Sequence, residues 1–189
     1  MLYKLLAQLL CYPESQWLSQ LHGVPVLLDN DPAMVARLTP LLKYLTGRPL
    51  LEVQANYVAT FDEDSEHALY LYHHLYGDSP DRGSVMSALI EEYRAQGLEP
   101  TESELPDFLP RYLEFLSHLK GRMFQEHAAR IRPVVSLLFR RLSAKQSPYA
   151  AVFDSLDTVL TQRRAVRLLS WVRHRWLRGT RISDFRRQA

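Results

Sequence analysis

The chain has 189 residues, 47% hydrophobic and 23% charged, with 23 Lys+Arg against 21 Asp+Glu. These values fit one globular domain and exclude disordered, collagen-like and coiled-coil chains, while Cys11, the single cysteine, excludes an intramolecular disulfide scaffold. No stretch approaches the roughly 20 apolar residues of a membrane span, and the net charge of +2 hides an asymmetry: residues 163–189 carry nine Arg and one acid, Asp184, on an otherwise acidic chain.

Leu occurs 33 times against 15 for Val plus Ile, and Gly only seven times. Leucine favours helix and β-branched residues favour strand, so the expected fold is all-α, a single helical domain without a sheet. Leu2, Leu5, Leu6, Leu9 and Leu10 share one face of a first helix that Pro13 stops. Gln8 interrupts the apolar run, and no small residue precedes Cys11, so the segment reads as the first helix of a cytosolic protein rather than a signal. Cys11 itself reads as a packed thiol.

Asp31-Pro32 is an N-cap followed by a first-turn proline; it opens a helix through Leu38, Leu41, Leu42 and Leu45 to Gly47. A kink or break is expected at Pro40. Pro49 starts a helix with Leu50, Val53, Tyr57 and Phe61 on one side. Asp62 to Glu66 lacks the Gly and terminal Glu of a calcium loop and reads as a solvated connection. Residues 66–76 form a short aromatic helix closed by Gly77, and Ser79-Pro80 open a helix to Gly97. Thr101 to Glu104 has the form of a capping box. It precedes a helix that follows Pro106 or Pro110, carries Leu109, Tyr112, Leu113, Leu116 and Leu119, and ends at Gly121. Helices over 123–143 and 149–178 complete the set, the last open to a break near Thr161. With no internal repeat or linker, the organisation is a helical domain over 1–162 and a basic tail over 163–189.

Enzyme signatures are missing: no phosphate-cradling Gly-rich loop, no Gly-x-Ser-x-Gly elbow and no His-Glu-x-x-His pair. His67 and His74 lie two helical turns apart, but without thiol ligands they read as ordinary polar residues rather than zinc ligands. These absences are compatible with a protein that is not an enzyme. Tyr70, Tyr72, His73, His74 and Tyr76 crowd into seven residues. They read either as a core helix or as one wall of a groove for a partner peptide. Asp78 and Asp81 flank Pro80 at a helix start, with Arg82 in reach of either. They read as caps with a local ion pair, or as an acidic rim for a basic peptide. Pro106-Asp107 repeats that arrangement.

Three blocks carry a family resemblance. They are Tyr57-Val58-Ala59-Thr60-Phe61-Asp62, the run from His73 to Met86, and Glu104-Leu105-Pro106-Asp107-Phe108-Leu109-Pro110-Arg111-Tyr112 continuing to Leu116. Their order and spacing resemble the NarJ-type assembly chaperones of respiratory nitrate reductase, within the wider TorD/DmsD-like redox enzyme maturation proteins. The resemblance covers roughly residues 1–160. Phe108 stands where the family usually carries a His. The basic tail also departs from the family's acidic ones; it reads as a divergent helix, a changed reading frame, or a nucleic-acid or membrane patch with Trp171 and Trp176.

The resemblance implies a helical bundle of the TorD/NarJ-like type and a cytoplasmic chaperone that is not an enzyme. Such a protein binds the N-terminal segment of the apo catalytic (alpha) subunit of nitrate reductase. It holds that subunit ready for insertion of molybdenum bis-molybdopterin guanine dinucleotide, before docking on the membrane subunit, and keeps no cofactor itself. The candidate peptide-binding residues are Tyr70, Tyr72, His73, His74, Tyr76, Asp78, Asp81, Arg82, Pro106 and Asp107, in a monomer or a dimer that exchanges helices. No metal site, nucleic-acid partner or stable membrane insertion is expected. The alternatives are a chaperone for another molybdoenzyme of the superfamily, or a helical protein acting on membranes or nucleic acid through its tail.

Overall fold

The structure, a computed structural model, describes residues 2–28, 31–100, 104–162 and 185–187. Its first helix, α1 (Leu2–Leu9), buries Leu2, Leu5, Leu6 and Leu9, as their spacing predicts. Two short helices follow, α2 (Ser15–Leu18) and α3 (Val24–Leu27). The sequence gives no periodic signal for either. α4 (Pro32–Gly47) begins as expected, with the Asp31 carboxylate accepting the Met34 N–H at 3.1 Å. The break expected at Pro40 does not occur, and the helix runs through it. Pro40 lies on the exposed face, where water can satisfy the carbonyl that its missing N–H leaves behind.

α5 (Leu50–Tyr57) passes directly into a π-turn over Val58–Asp62. α6 (Leu71–Tyr76) is closed by Gly77 at φ 53° and ψ −127°, a conformation only glycine adopts without strain. α7 spans Arg82–Arg94. Beyond it Leu98–Pro100 (β1) pairs antiparallel with Phe185–Arg187 (β2), so the expectation of no sheet at all is corrected by one small ribbon. Gly97, at φ 70°, makes the turn from helix to strand. The expected capping box falls largely on residues 101–103, outside the described residues. So do 163–184, where the basic tail and its Trp residues lie.

α8 (Leu109–His118) is the centre of the core. Every residue from Leu109 to Leu116 is buried, including Arg111 and Glu114. Buried charges need partners. The Arg111 guanidinium donates to the Glu104 carbonyl at 2.5 Å, and Glu114 pairs with Lys4 of α1 at 3.0 Å. α1 lies along α8, while α10 (Ala150–Gln162) packs on α4 and on α9 (Gly121–Ala144). Gly121 therefore opens α9, rather than ending the helix before it. The fold is all-α, as the leucine excess predicts. Among the described residues no helix is long and apolar enough to cross a membrane.

Candidate functional site

Two segments distant in sequence meet at the heart of the site. The Leu71 N–H donates to the Asp107 carbonyl at 3.0 Å and the Leu109 N–H to the Leu69 carbonyl at 2.7 Å. Between them Tyr70 and Phe108 form an antiparallel bridge, with ring centroids 5.6 Å apart. The Asp107 carboxylate accepts the Tyr72 N–H at 2.8 Å and so caps the first turn of α6 from another segment. Asp107 is fully buried, and burial pushes its carboxyl above the ordinary range. This corrects its reading as part of an acidic rim: it is a buried cap.

A cavity of about 340 Å³ opens beside this bridge. Tyr70, Phe108 and Glu104 form one wall, and Tyr57, Phe61 and Asp62 form the second. The π-turn delivers Phe61 and Asp62 to that wall; an extra residue per turn is a recurrent feature of functional helices. The third wall comes from the N-terminus through Gln8, Cys11, Tyr12, Glu14 and Trp17.

The aromatic groups are held firmly. The Tyr57 hydroxyl donates to the Leu10 carbonyl at 2.9 Å, and its ring meets Phe61 edge-on at 5.0 Å. The Trp17 indole N–H donates to the Tyr12 carbonyl at 3.1 Å. The Tyr70 hydroxyl donates to Glu104 at 2.9 Å; burial and that carboxylate push its pKa up to about 12. Among the described residues, the charged side chains lining the cavity are Glu14, Asp62 and Glu104. Partial burial, with Glu63 nearby, raises the Asp62 carboxyl.

The ten expected residues do not converge on this cavity. Tyr70 alone of them lines it. Tyr72 is fully buried in the core, with Tyr76 edge-on at 5.2 Å and partly exposed. Tyr72 thus follows the core-helix reading while its neighbours do not, because successive helical residues point in different directions. His73 and His74 line a separate depression with Ser65, Glu66, Leu137 and Arg141. The His74 Nε2 meets the Ala68 carbonyl at 2.8 Å, and burial lowers its pKa.

Asp78 and Asp81 are exposed. Asp81 is the N-cap residue of α7, yet its side chain makes no capping bond. The expected local pairing of Arg82 with Asp78 or Asp81 is also not formed within ion-pair distance. Pro106 is half-buried, and its carbonyl accepts the Tyr93 hydroxyl at 2.6 Å. Sequence reasoning missed the N-terminal wall. It also took Asp62 for part of a solvated loop and Cys11 for a packed thiol; Cys11 is only partly buried and faces the cavity. Among the described residues no group of three His, Cys, Asp or Glu is arranged to hold a metal.

Residues 28–173 match the family described as nitrate reductase delta subunit. The chain belongs to that family. Relatives of the delta subunit family include the probable nitrate reductase molybdenum cofactor assembly chaperone NarW of Escherichia coli (strain K12). It is 35% identical over 153 residues, 81% of this chain and 65% of that protein. The nitrate reductase molybdenum cofactor assembly chaperone NarJ of the same organism is 40% identical over 115 residues, 61% of this chain and 49% of NarJ. The probable NarJ chaperone of Bacillus subtilis (strain 168) is 28% identical over 165 residues, 84% of this chain and 87% of that protein. The chain thus spans about half to two thirds of the length of the two Escherichia coli relatives. The span matched to the delta subunit family takes in two walls of the cavity, while Gln8 to Trp17 precede it.

Proposed function

We propose that this chain is an assembly chaperone of nitrate reductase. It binds the N-terminal segment of the apo catalytic subunit and holds that subunit ready for insertion of molybdenum bis-molybdopterin guanine dinucleotide, before the subunit docks on the membrane. It works in the cytoplasm, by binding alone and without turnover, and it keeps no cofactor of its own.

The observation that carries this reading is the aromatic cavity, whose charged lining among the described residues is acidic, in a chain of the delta subunit family. Aromatic walls give an amphipathic peptide apolar area to bury, and the three carboxylates favour a basic one. Charge complementarity speeds the encounter, and apolar burial slows release. A segment that orders on binding loses conformational entropy, so the expected affinity is micromolar to nanomolar, about 8–12 kcal/mol. Calorimetry of the full chain with a synthetic peptide of the catalytic subunit's N-terminal segment tests it. Binding in that range supports the reading, and no binding overturns it.

A further inference from the structure

We propose that the depression lined by Ser65, His73, His74 and Arg141 is a site for a phosphate group, with the Arg141 guanidinium as its anchor. The site is separate from the aromatic cavity and does not rest on the chaperone reading. It measures about 260 Å³ and lies between α6, α9 and the turn Ser65–His67. The first observation is Arg141. Its guanidinium donates to the Glu66 backbone carbonyl at 2.8 Å and forms no ion pair among the described residues. On the same helix Arg122 and Arg130 pair with Glu126 and Glu92, and Lys145 just beyond its end pairs with Asp64. Arg132 and Arg140 form no pair either, but both are fully exposed. Arg141 is thus half-buried and held in place by a neutral group that leaves its charge unanswered. A guanidinium fixed in that way loses little freedom when an oxyanion binds.

The second observation is the pair of imidazoles. His73 and His74 line the same depression, with ring centroids 5.2 Å apart. The His74 Nε2 lies 2.8 Å from the Ala68 carbonyl. A carbonyl only accepts, so Nε2 carries the proton and Nδ1 is the nitrogen that takes up a second one. Burial holds this imidazole below its ordinary pKa, and His73, Arg141 and His67 push in the same direction, so these neighbours make the field there positive. Asp64, the carboxylate at the start of the turn, is already shared by Lys145 at 2.6 Å and His67 Nδ1 at 3.1 Å.

A phosphate group fits this lining better than a carboxylate. Donors come from three elements: the Ser65 hydroxyl from the turn, the imidazoles from α6 and the guanidinium from α9. A carboxylate presents its two oxygens in one plane. A phosphate presents strong acceptor oxygens at tetrahedral angles, and a guanidinium meets it through two parallel bonds. The Glu66 carboxylate is the group of opposite sign in the lining; it stands exposed at the rim, outside ion-pair distance of Arg141, and opposes an incoming anion.

Calorimetry of the full chain with inorganic phosphate, glycerol 1-phosphate and acetate tests the site. Saturable binding of phosphate is expected, with acetate about tenfold or more weaker. Arg141→Gln should weaken phosphate about tenfold or more. Glu66→Gln should tighten it about twofold or more, because a like charge is removed. Glu66 is exposed and a gain of affinity cannot come from misfolding, so this variant decides the matter even where Arg141→Gln disturbs the fold. Glycerol 1-phosphate binding as tightly as phosphate makes an esterified phosphate the ligand; binding of the inorganic ion alone makes it the free ion, and both support the site. No saturable binding of either, acetate binding as tightly as phosphate, unchanged affinity in folded Arg141→Gln, or no gain in Glu66→Gln overturns it.

Discussion

The Asp107 carboxylate accepts the backbone N–H of Tyr72 at 2.8 Å, across 35 positions of sequence. That bond joins the aromatic helix to the start of α8 and holds one wall of the cavity in place. Burial raises the Asp107 carboxyl, so the fold disfavours its ionised form. A raised acid contributes stability at low pH and loses it as pH climbs from the unfolded value of about 3.9 through the folded one. Asp107→Asn keeps an acceptor for Tyr72 and removes the charge; it should be at least as stable as the parent at neutral pH. Asp107→Leu loses the cap and should cost about 1–2 kcal/mol or more. Urea unfolding measures both, and equal losses would contradict the capping role.

Two glycines should respond in opposite senses. Gly77→Ala places a Cβ at φ 53° and ψ −127°, so it should destabilise by about 1–3 kcal/mol even with open space around it. Gly83 lies in α7 with nothing within 4 Å of an added Cβ. Gly83→Ala should be neutral or stabilising by up to about 1 kcal/mol. Thermal melting of the two variants checks this.

Acidification should weaken the fold through two histidines. Burial lowers the pKa of both His74 and His127, and the Tyr112 hydroxyl lies 2.7 Å from His127 Nδ1. A depressed histidine pKa contributes stability above the unfolded value of about 6.5, lost as pH falls towards the folded one. Asp64 and Glu99, whose carboxyls are lowered by Lys145 and Arg94, act only in the more acid carboxylate range. The melting temperature should therefore drop between about pH 7.5 and 5.5. His127→Gln, which still offers Tyr112 an acceptor, should show a smaller drop. A flat profile for the parent would contradict this assignment.

The described residues that line the cavity all fall between Gln8 and Phe108. Ending the chain after Gln162 removes the Arg-rich tail and the partner of β1, and should leave peptide affinity within about twofold. Loss of peptide binding would place the tail in the interaction and favour the reading in which it makes the contact.

The helices were legible because their signals are local. The leucine spacing of α1 and the Asp31-Pro32 start of α4 each act within a few residues. The cavity was less legible because its walls come from residues 8–17, 57–62, 70 and 104–108. Of these, the resemblance marked the middle and last segments. Gln8 looked like a flaw in an apolar run, and nothing local distinguished Glu14 or Trp17. The cluster from Tyr70 to Tyr76 was misleading for a geometric reason. Neighbours on a helix face different ways, so Tyr72 enters the core while His73 and His74 face another depression. The burial of Asp107 depends on a bridge to Leu71 that no local pattern encodes.

Cys11 offers the most direct test of peptide binding in the cavity. It is the single cysteine, it lines the cavity and it is partly buried. Its alkylation rate can be followed with and without a saturating, cysteine-free peptide of the catalytic subunit's N-terminal segment. Occupation of the cavity should slow labelling at least about tenfold, because only an accessible thiolate reacts. A peptide that binds in calorimetry while Cys11 labels at an unchanged rate would contradict the account.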